Sequence, residues 1–278
     1  MDSAHEPTGR VIAVVLARAG SKGVPGKNLA MVGGRPCVAW TIGHALGAGL
    51  ESVVVSSDSG EVLEIGGAMG ALAHRRSDSL ASDTARVDDA LREAVRWYEA
   101  ERGGVGAAAM LYGNAPVRPD GLLGRAAALW RESGCDSVQS YAPVGKHHPW
   151  WQCRVGEDGR VTPWEGERLF NGVYRRQELP PAYVPDGGVV VVSRGALFGE
   201  LGLDLAHPHA FLGRDHRGIV HEAGAVVDID SEEDLEIASA RLRRRADTES
   251  TEITEGEHGE AEDWGGGAAE QGADRGHH

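Results

Sequence analysis

Only three cysteines occur in the 278 residues, Cys37, Cys135 and Cys153. An odd, widely spaced set builds neither a disulfide framework nor a CxxC metal knuckle, so a reducing, cytoplasmic setting is expected. Long apolar runs are missing as well. Hydrophobic residues make up 41% of the chain, yet no run approaches the roughly 18 to 20 residues of a membrane span, which argues against a membrane protein. The opening MDSAHEPTGR carries acids and no apolar core, so it does not read as a secretory signal. Positive charge is in short supply. Lys and Arg total 28 against 42 Asp and Glu, a net −14, and without a basic stripe a nucleic-acid duplex is a poor partner. No internal repeat of fixed period is visible.

The length suggests one large domain plus a tail. From Asp247 onward ten acids face a single base, Arg275, among Gly, Ala and Thr, with Ile253 and Trp264 almost the only large apolar residues. Such a stretch buries too little to offset its ordering entropy. We therefore expect a flexible N-terminus (1–9), a folded domain (10–245) and a disordered acidic tail (246–278), the last most simply a solubilising extension.

Within the domain, short β-branched runs alternate with longer helical patterns. That is the signature of an α/β fold, a Rossmann-like and mostly parallel sheet flanked by helices. Residues 11–16 (VIAVVL) form a continuous apolar run, as in a strand buried on both faces. Further strands are expected at 52–56, 105–112, 136–141, 188–193 and 225–229, and helices at 37–46, 61–69, 88–101 and 121–132. Asp88 to Glu101 carries Ala90, Leu91, Ala94, Val95 and Tyr98 as an amphipathic stripe. Ser231 to Asp234 reads as the capped start of a last helix. Residues 142–185, with Trp150, Trp151, Trp164, several prolines and polar turns, read as an inserted subdomain.

The most informative segment follows the first strand: Leu16-Ala-Arg18-Ala-Gly-Ser21-Lys22-Gly-Val-Pro-Gly-Lys27-Asn28. Glycines at 20, 23 and 26 let backbone N–H groups approach an anion, and Arg18, Lys22 and Lys27 add three cations. A site for several phosphates follows, against the plainer reading of a basic turn. A P-loop fails at both ends, with Ser21 five residues before Gly26 and Asn28 after Lys27. The glycine spacing is not G-x-G-x-x-G either, so an NAD-dependent oxidoreductase is disfavoured even though Asp58 ends the second strand. Asp228 and Asp230, two apart on an expected strand, point the same way and could share one ion, for which oxygen ligands suit Mg²⁺. They could equally be strand-end acids screened by water.

Residues 18–28 closely resemble the signature loop of the acylneuraminate cytidylyltransferases. Arg76 to Thr84, Arg175 to Pro180 with Asp186-Gly187, and Asp228 to Leu235 resemble further segments of that family in the same order. The resemblance implies transfer of CMP from CTP to the hydroxyl of a small acidic 2-keto sugar, with Mg²⁺ as cofactor. It implies that Arg18, Ser21, Lys22 and Lys27 contact the phosphates, that Asn28, Arg76 and Ser82 lie near the cytidine, and that Asp228 and Asp230 hold the metal. Lys27, Arg18 and Asp230 are the expected catalytic residues, with Lys27 at the charge that builds up on departing pyrophosphate.

Arg176 matches a position linked to the acceptor's carboxylate. Arg118 could serve the same end or be a surface arginine. His147 and His148 are adjacent, point to opposite faces and are unlikely partners on one ion. Trp150, Trp151, Trp164 and Phe170 read as an apolar patch, and the family's subdomain reaches across a dimer, so a homodimer is expected. Two departures fall in the acceptor pocket. Tyr112-Gly113-Asn114-Ala115-Pro116 replaces the family's usual Gln-Pro-Thr-Ser-Pro, and Val184-Pro185-Asp186-Gly187 replaces Arg-Pro-Asn-Gly. The acceptor could therefore be an N-acylneuraminate, another nonulosonic acid, an octulosonic acid or a phosphonate. A non-catalytic nucleotide sensor is the alternative of another class.

Overall fold

The structure is a computed structural model that describes residues 9–20 and 23–259, with 246–259 as backbone only. Along the chain run β1 (Val11–Leu16), β2 (Met31–Val32), β3 (Arg35–Pro36), α1 (Cys37–Leu46), β4 (Ser52–Ser57), α2 (Gly60–Ala68) and β5 (Leu72–Arg75). Then come α3 (Val87–Arg102), β6 (Ala107–Tyr112), α4 (Leu122–Ser133), β7 (Ser137–Pro143), β8 (Cys153–Val155) and β9 (Val161–Pro163). The chain continues with β10 (Tyr183–Ser193), α5 (Arg194–Leu197), β11 (His216–Val220) and α6 (Glu232–Gly259).

Seven strands make one sheet in the order β11-β7-β10-β6-β1-β4-β5. Every pairing in it is parallel except those of β10, which runs against both β6 and β7. The expected mostly parallel sheet with flanking helices is thus what forms. All six residues of β1 are buried. Alternation splits them between two layers: Val11, Ala13 and Val15 pack with Val38 and Ile42 of α1 and Ala126 of α4, while Ile12, Val14 and Leu16 pack with Leu91, Ala94 and Val95 of α3. The α3 stripe read from the sequence is the face that is buried. A third, smaller core joins Val32 and Cys37 to Ile229, Ala238 and Leu242, seating α6 on the β2–β3 hairpin. That hairpin turns at Gly33 and Gly34, both at positive φ (54° and 81°), the backbone that a two-residue turn demands.

Several elements depart from the sequence reading. Residues 225–229 are not a strand: only Val227 bridges, to Val117, because the segment pairs with the loop after β6 instead of joining the sheet. β10 begins at Tyr183, five residues before the expected strand, and its register with β7 shifts between Pro185 and Val190. β5, β11 and the β2–β3 hairpin carry too little alternation to be read in advance. Between β7 and β10 lie only short 3₁₀ turns and the separate β8–β9 pair. The boundary at 246 falls inside α6, and residues 1–8 and 260–278, on which most of the terminal expectations rest, lie outside the described residues.

At the start of α6 the expected cap forms. Ser231 Oγ accepts from Asp234 N at 3.3 Å while Asp234 Oδ2 accepts from Ser231 N at 2.9 Å, so each satisfies one otherwise orphaned amide.

Candidate active site

Parallel strands deliver their carboxyl ends to one edge, and ligands of open α/β sheets bind there, where the strand order reverses. In this sheet the reversal is at β1, which lies between β4 and β6. The loop leaving β1 is tied down on both sides, by Ala17 N donating to Ser56 O (3.1 Å) and Gly113 N donating to Leu16 O (3.0 Å). Ala19 N donates to Asp58 Oδ1 at 2.8 Å, a use of Asp58 that the sequence did not suggest. Asn28 is buried and donates from Nδ2 to Arg18 O at 2.8 Å, bracing the loop from within. Its Oδ1 is buried with no hydrogen-bond partner among the described residues. Ser21 and Lys22 lie outside the described residues.

The loop meets the Asp228–Asp230 segment directly. Lys27 Nζ donates to Asp230 Oδ1 at 2.6 Å, with the lysine side chain 17% exposed and the aspartate 71%. A Cβ on Gly23 would lie 2.2 Å from the Asp230 carbonyl oxygen, so the two backbones touch and only glycine fits. Although 225–229 is no strand, its end is pinned to the loop after β6. Ile229 N donates to Asn114 O at 2.8 Å and Asn114 Nδ2 donates to Ile229 O at 3.2 Å. Ile229 is fully buried between its two aspartate neighbours, which preserves the alternation that the sequence reading relied on. Burial, and then the Asp230 charge, push the Asp228 carboxyl above its ordinary range. Two carboxylates therefore repel one another beside the phosphate loop.

Arg18 is ion-paired with Asp83. Arg76 is buried beneath the loop, donating from Nη2 to Ser56 O at 2.9 Å and from Nε to Ser56 Oγ at 3.3 Å. Burial lowers its guanidinium and the charge of Asp58 opposes that shift. Ser82 is exposed in the segment before α3, near Ser79 and Thr84. Tyr112 is partly buried at the end of β6, its phenol raised by burial and by Asp228. Arg176 stands exposed on a 3₁₀ turn of the 144–182 segment.

Neither sequence reading of Arg118, carboxylate ligand or surface arginine, describes where it sits. It is 3% exposed. Its guanidinium donates to Gly188 O (2.7 Å), Tyr112 O (2.9 Å), Thr41 Oγ1 (2.9 Å) and Ala115 O. It therefore braces the loop after β6 against α1 and β10, and burial draws it down to about 10. The same buried charge acts on His44 of α1. Burial first, then Arg118, lower that imidazole from 6.5 to about 4. A histidine depressed in the fold is protonated first in the unfolded chain, so stability contributed at neutral pH is lost as pH falls from 6.5 through 4. About 2 to 3 kcal/mol should disappear across that window. Urea unfolding at pH 7 and pH 4 measures it, and His44→Gln should reduce the difference; an unaltered difference would exclude His44 as its source.

Residues 12–119 match the family model described as Cytidylyltransferase. The chain is 28% identical over 203 residues to the N-acylneuraminate cytidylyltransferase of Streptococcus agalactiae serotype V, covering 72% of this chain and 47% of that protein. It is 30% identical over 195 residues to N-acylneuraminate cytidylyltransferase A of Danio rerio, covering 64% and 44%. It is 28% identical over 186 residues to the CMP-N,N'-diacetyllegionaminic acid synthase of Legionella pneumophila, covering 66% and 78%. The chain thus spans about half the length of the first two relatives. Among solved structures, a CMP:2-keto-3-deoxy-manno-octonic acid synthetase complexed with CTP shares the fold, with a TM-score of 0.63 at 19% identity over 85% of this chain and 99% of that one. Residues 12–119 therefore match the Cytidylyltransferase family model, and the chain is similar to the N-acylneuraminate cytidylyltransferases, the family its loop resembles.

Proposed function

We propose that the protein transfers CMP from CTP to the hydroxyl of a 2-keto sugar acid, an N-acylneuraminate or a related nonulosonic acid, and releases pyrophosphate. The observation that carries this reading is the contact between the β1 loop and the paired aspartates, with Lys27 on Asp230 at 2.6 Å. In the transfer the acceptor hydroxyl attacks the α-phosphorus, the bond to pyrophosphate breaks in line, and the hydroxyl proton passes to a base. Arg18, Ser21, Lys22 and Lys27 gather the triphosphate. Lys27 exchanges its carboxylate partner for the charge that grows on the leaving group. Asn28, Arg76 and Ser82 are assigned to the cytidine end, and Tyr112 and Arg176 to the acceptor.

Asp228 and Asp230 fit Mg²⁺. They supply hard oxygen donors, and the Asp228 carboxyl, raised first by burial, is raised further by the Asp230 charge, a repulsion that a divalent cation would relieve. Among the described residues no group of three or more His, Cys, Asp and Glu could hold a metal; the two aspartates would hold the ion together with water and phosphate oxygens. When bound, the ion would neutralise the phosphate oxygens.

The reading extends to a cytoplasmic homodimer. Trp164, Phe170 and Tyr174 (53%, 47% and 91% exposed) present the apolar patch on the 144–182 segment, and Cys37, Cys135 and Cys153 are free thiols. Among the described residues no helix is long and apolar enough to cross a membrane.

The test is pyrophosphate release from CTP and Mg²⁺ with N-acetylneuraminate, N,N'-diacetyllegionaminate, an octulosonic acid and a phosphonate. Release dependent on a sugar acid is expected. CTP binding with no release across the panel would favour the sensor.

A further inference from the structure

Asp186 and His221 form a buried pair that the transfer reading leaves unassigned. Their side chains are 11% and 8% exposed, and His221 Nε2 lies 2.5 Å from Asp186 Oδ2. The other carboxylate oxygen accepts from Ser140 Oγ at 2.6 Å and from Gly188 N at 3.0 Å. Ser140 Oγ in turn accepts from Val189 N at 2.9 Å, which leaves its one proton for Asp186. Two donors, from β7 and β10, thus converge on one oxygen of the carboxylate, and the imidazole of the residue following β11 lies against the other.

What this carboxylate holds is the register break of β10. The Gly188 peptide is gripped at both ends, its N–H by Asp186 and its carbonyl by Arg118 Nε at 2.7 Å. The bulge can turn in no other direction. A Cβ on Gly188 would lie 2.7 Å from Ser140 Oγ, and Gly187 has φ of +74°. The outer side of the turn faces the site. From the Cβ position of Gly187, Tyr112 is 3.7 Å away and Asp228 Oδ2 4.0 Å away.

We propose that Asp186 and His221 are a positioning pair for the acceptor: they fix the Gly187–Gly188 bulge against Tyr112 and Asp228, and so set the floor on which the sugar acid rests. This rests on the transfer reading above. Neither residue touches the reacting atoms. His221 acts through its close contact with Asp186, Nε2 against Oδ2, while its Nδ1 lies 3.2 Å from Glu222 O. Removing that imidazole strands a buried carboxylate. Removing the carboxylate's charge as well, with Asp186→Asn, leaves an amide oxygen that still accepts from Ser140 and Gly188.

The full chain is used for the test. CTP affinity is measured by calorimetry with Mg²⁺, and acceptor KM by pyrophosphate release with N-acetylneuraminate, N,N'-diacetyllegionaminate and 2-keto-3-deoxy-manno-octonate. His221→Leu should raise the acceptor KM about tenfold or more while CTP affinity stays within about twofold, and adding Asp186→Asn should recover most of the loss. An unchanged acceptor KM, a parallel loss of CTP affinity, or a double variant no better than the single one overturns the assignment. If His221→Leu does not fold, His221→Gln, which keeps a polar group beside Asp186, should retain a near-native acceptor KM, and a tenfold rise would overturn it. A native chain that binds no CTP, or uses none of the three acids, removes the transfer reading itself and the positioning role with it.

Discussion

Lys27→Ala is expected to slow pyrophosphate release by roughly two to three orders of magnitude, the usual cost of removing one preorganised donor from a site of developing charge. Stability should hardly change. The ammonium's partner, Asp230, is largely exposed, and pairs of that kind contribute little to folding. Lys27→Arg should recover part of the rate, since the charge survives on a differently shaped donor. Rates and melting temperatures of the three proteins decide the matter: a loss of stability matching the loss of rate would make Lys27 a structural lysine. Arg18 should behave differently from Lys27, because its carboxylate partner, Asp83, lies in the 77–86 segment and not on the Asp228–Asp230 pair.

Arg118→Met should have the largest effect on folding. The substitution roughly keeps the volume but removes the Arg118 donor from the Gly188 carbonyl and the Thr41 hydroxyl, and the charged donor from the carbonyls of Tyr112 and Ala115, which keep only neutral donors. Buried acceptors stripped of a charged partner cost about 3 to 5 kcal/mol. For a domain of this size that lowers the melting temperature by roughly 10 °C. Urea unfolding with an unchanged slope would attribute the loss to the native state. Full stability with a selective rise in the acceptor KM would instead return Arg118 to the acceptor's carboxylate.

The sheet was legible because it rests on local chemistry. β1 is apolar at every position since both faces are covered, and the α3 stripe is the buried face itself. The Gly-rich loop could be proposed as a phosphate site because its glycines and cations are adjacent in sequence. Arg118 was not legible, because its partners Thr41 and Gly188 are distant in the chain and nothing local says that a guanidinium will be spent on carbonyls. Asp186 was visible as a departure from a family pattern, but His221 was not, since β11 (HRGIV) lacks the alternation that would mark the residue after it. The expected strand at 225–229 failed for a related reason. β-branched residues signal extended backbone, yet whether that backbone joins a sheet depends on which edge is free, and here the loop at Asn114–Val117 offers its carbonyls first.

Arg18 and Lys27 are matched by Asp83 and Asp230. On the proposed transfer reading, an arriving triphosphate would displace two intramolecular anions from these cations. Nucleotide affinity then reflects a difference between two sets of ion pairs, so raising the ionic strength weakens both sides of the exchange and should erode binding only gently.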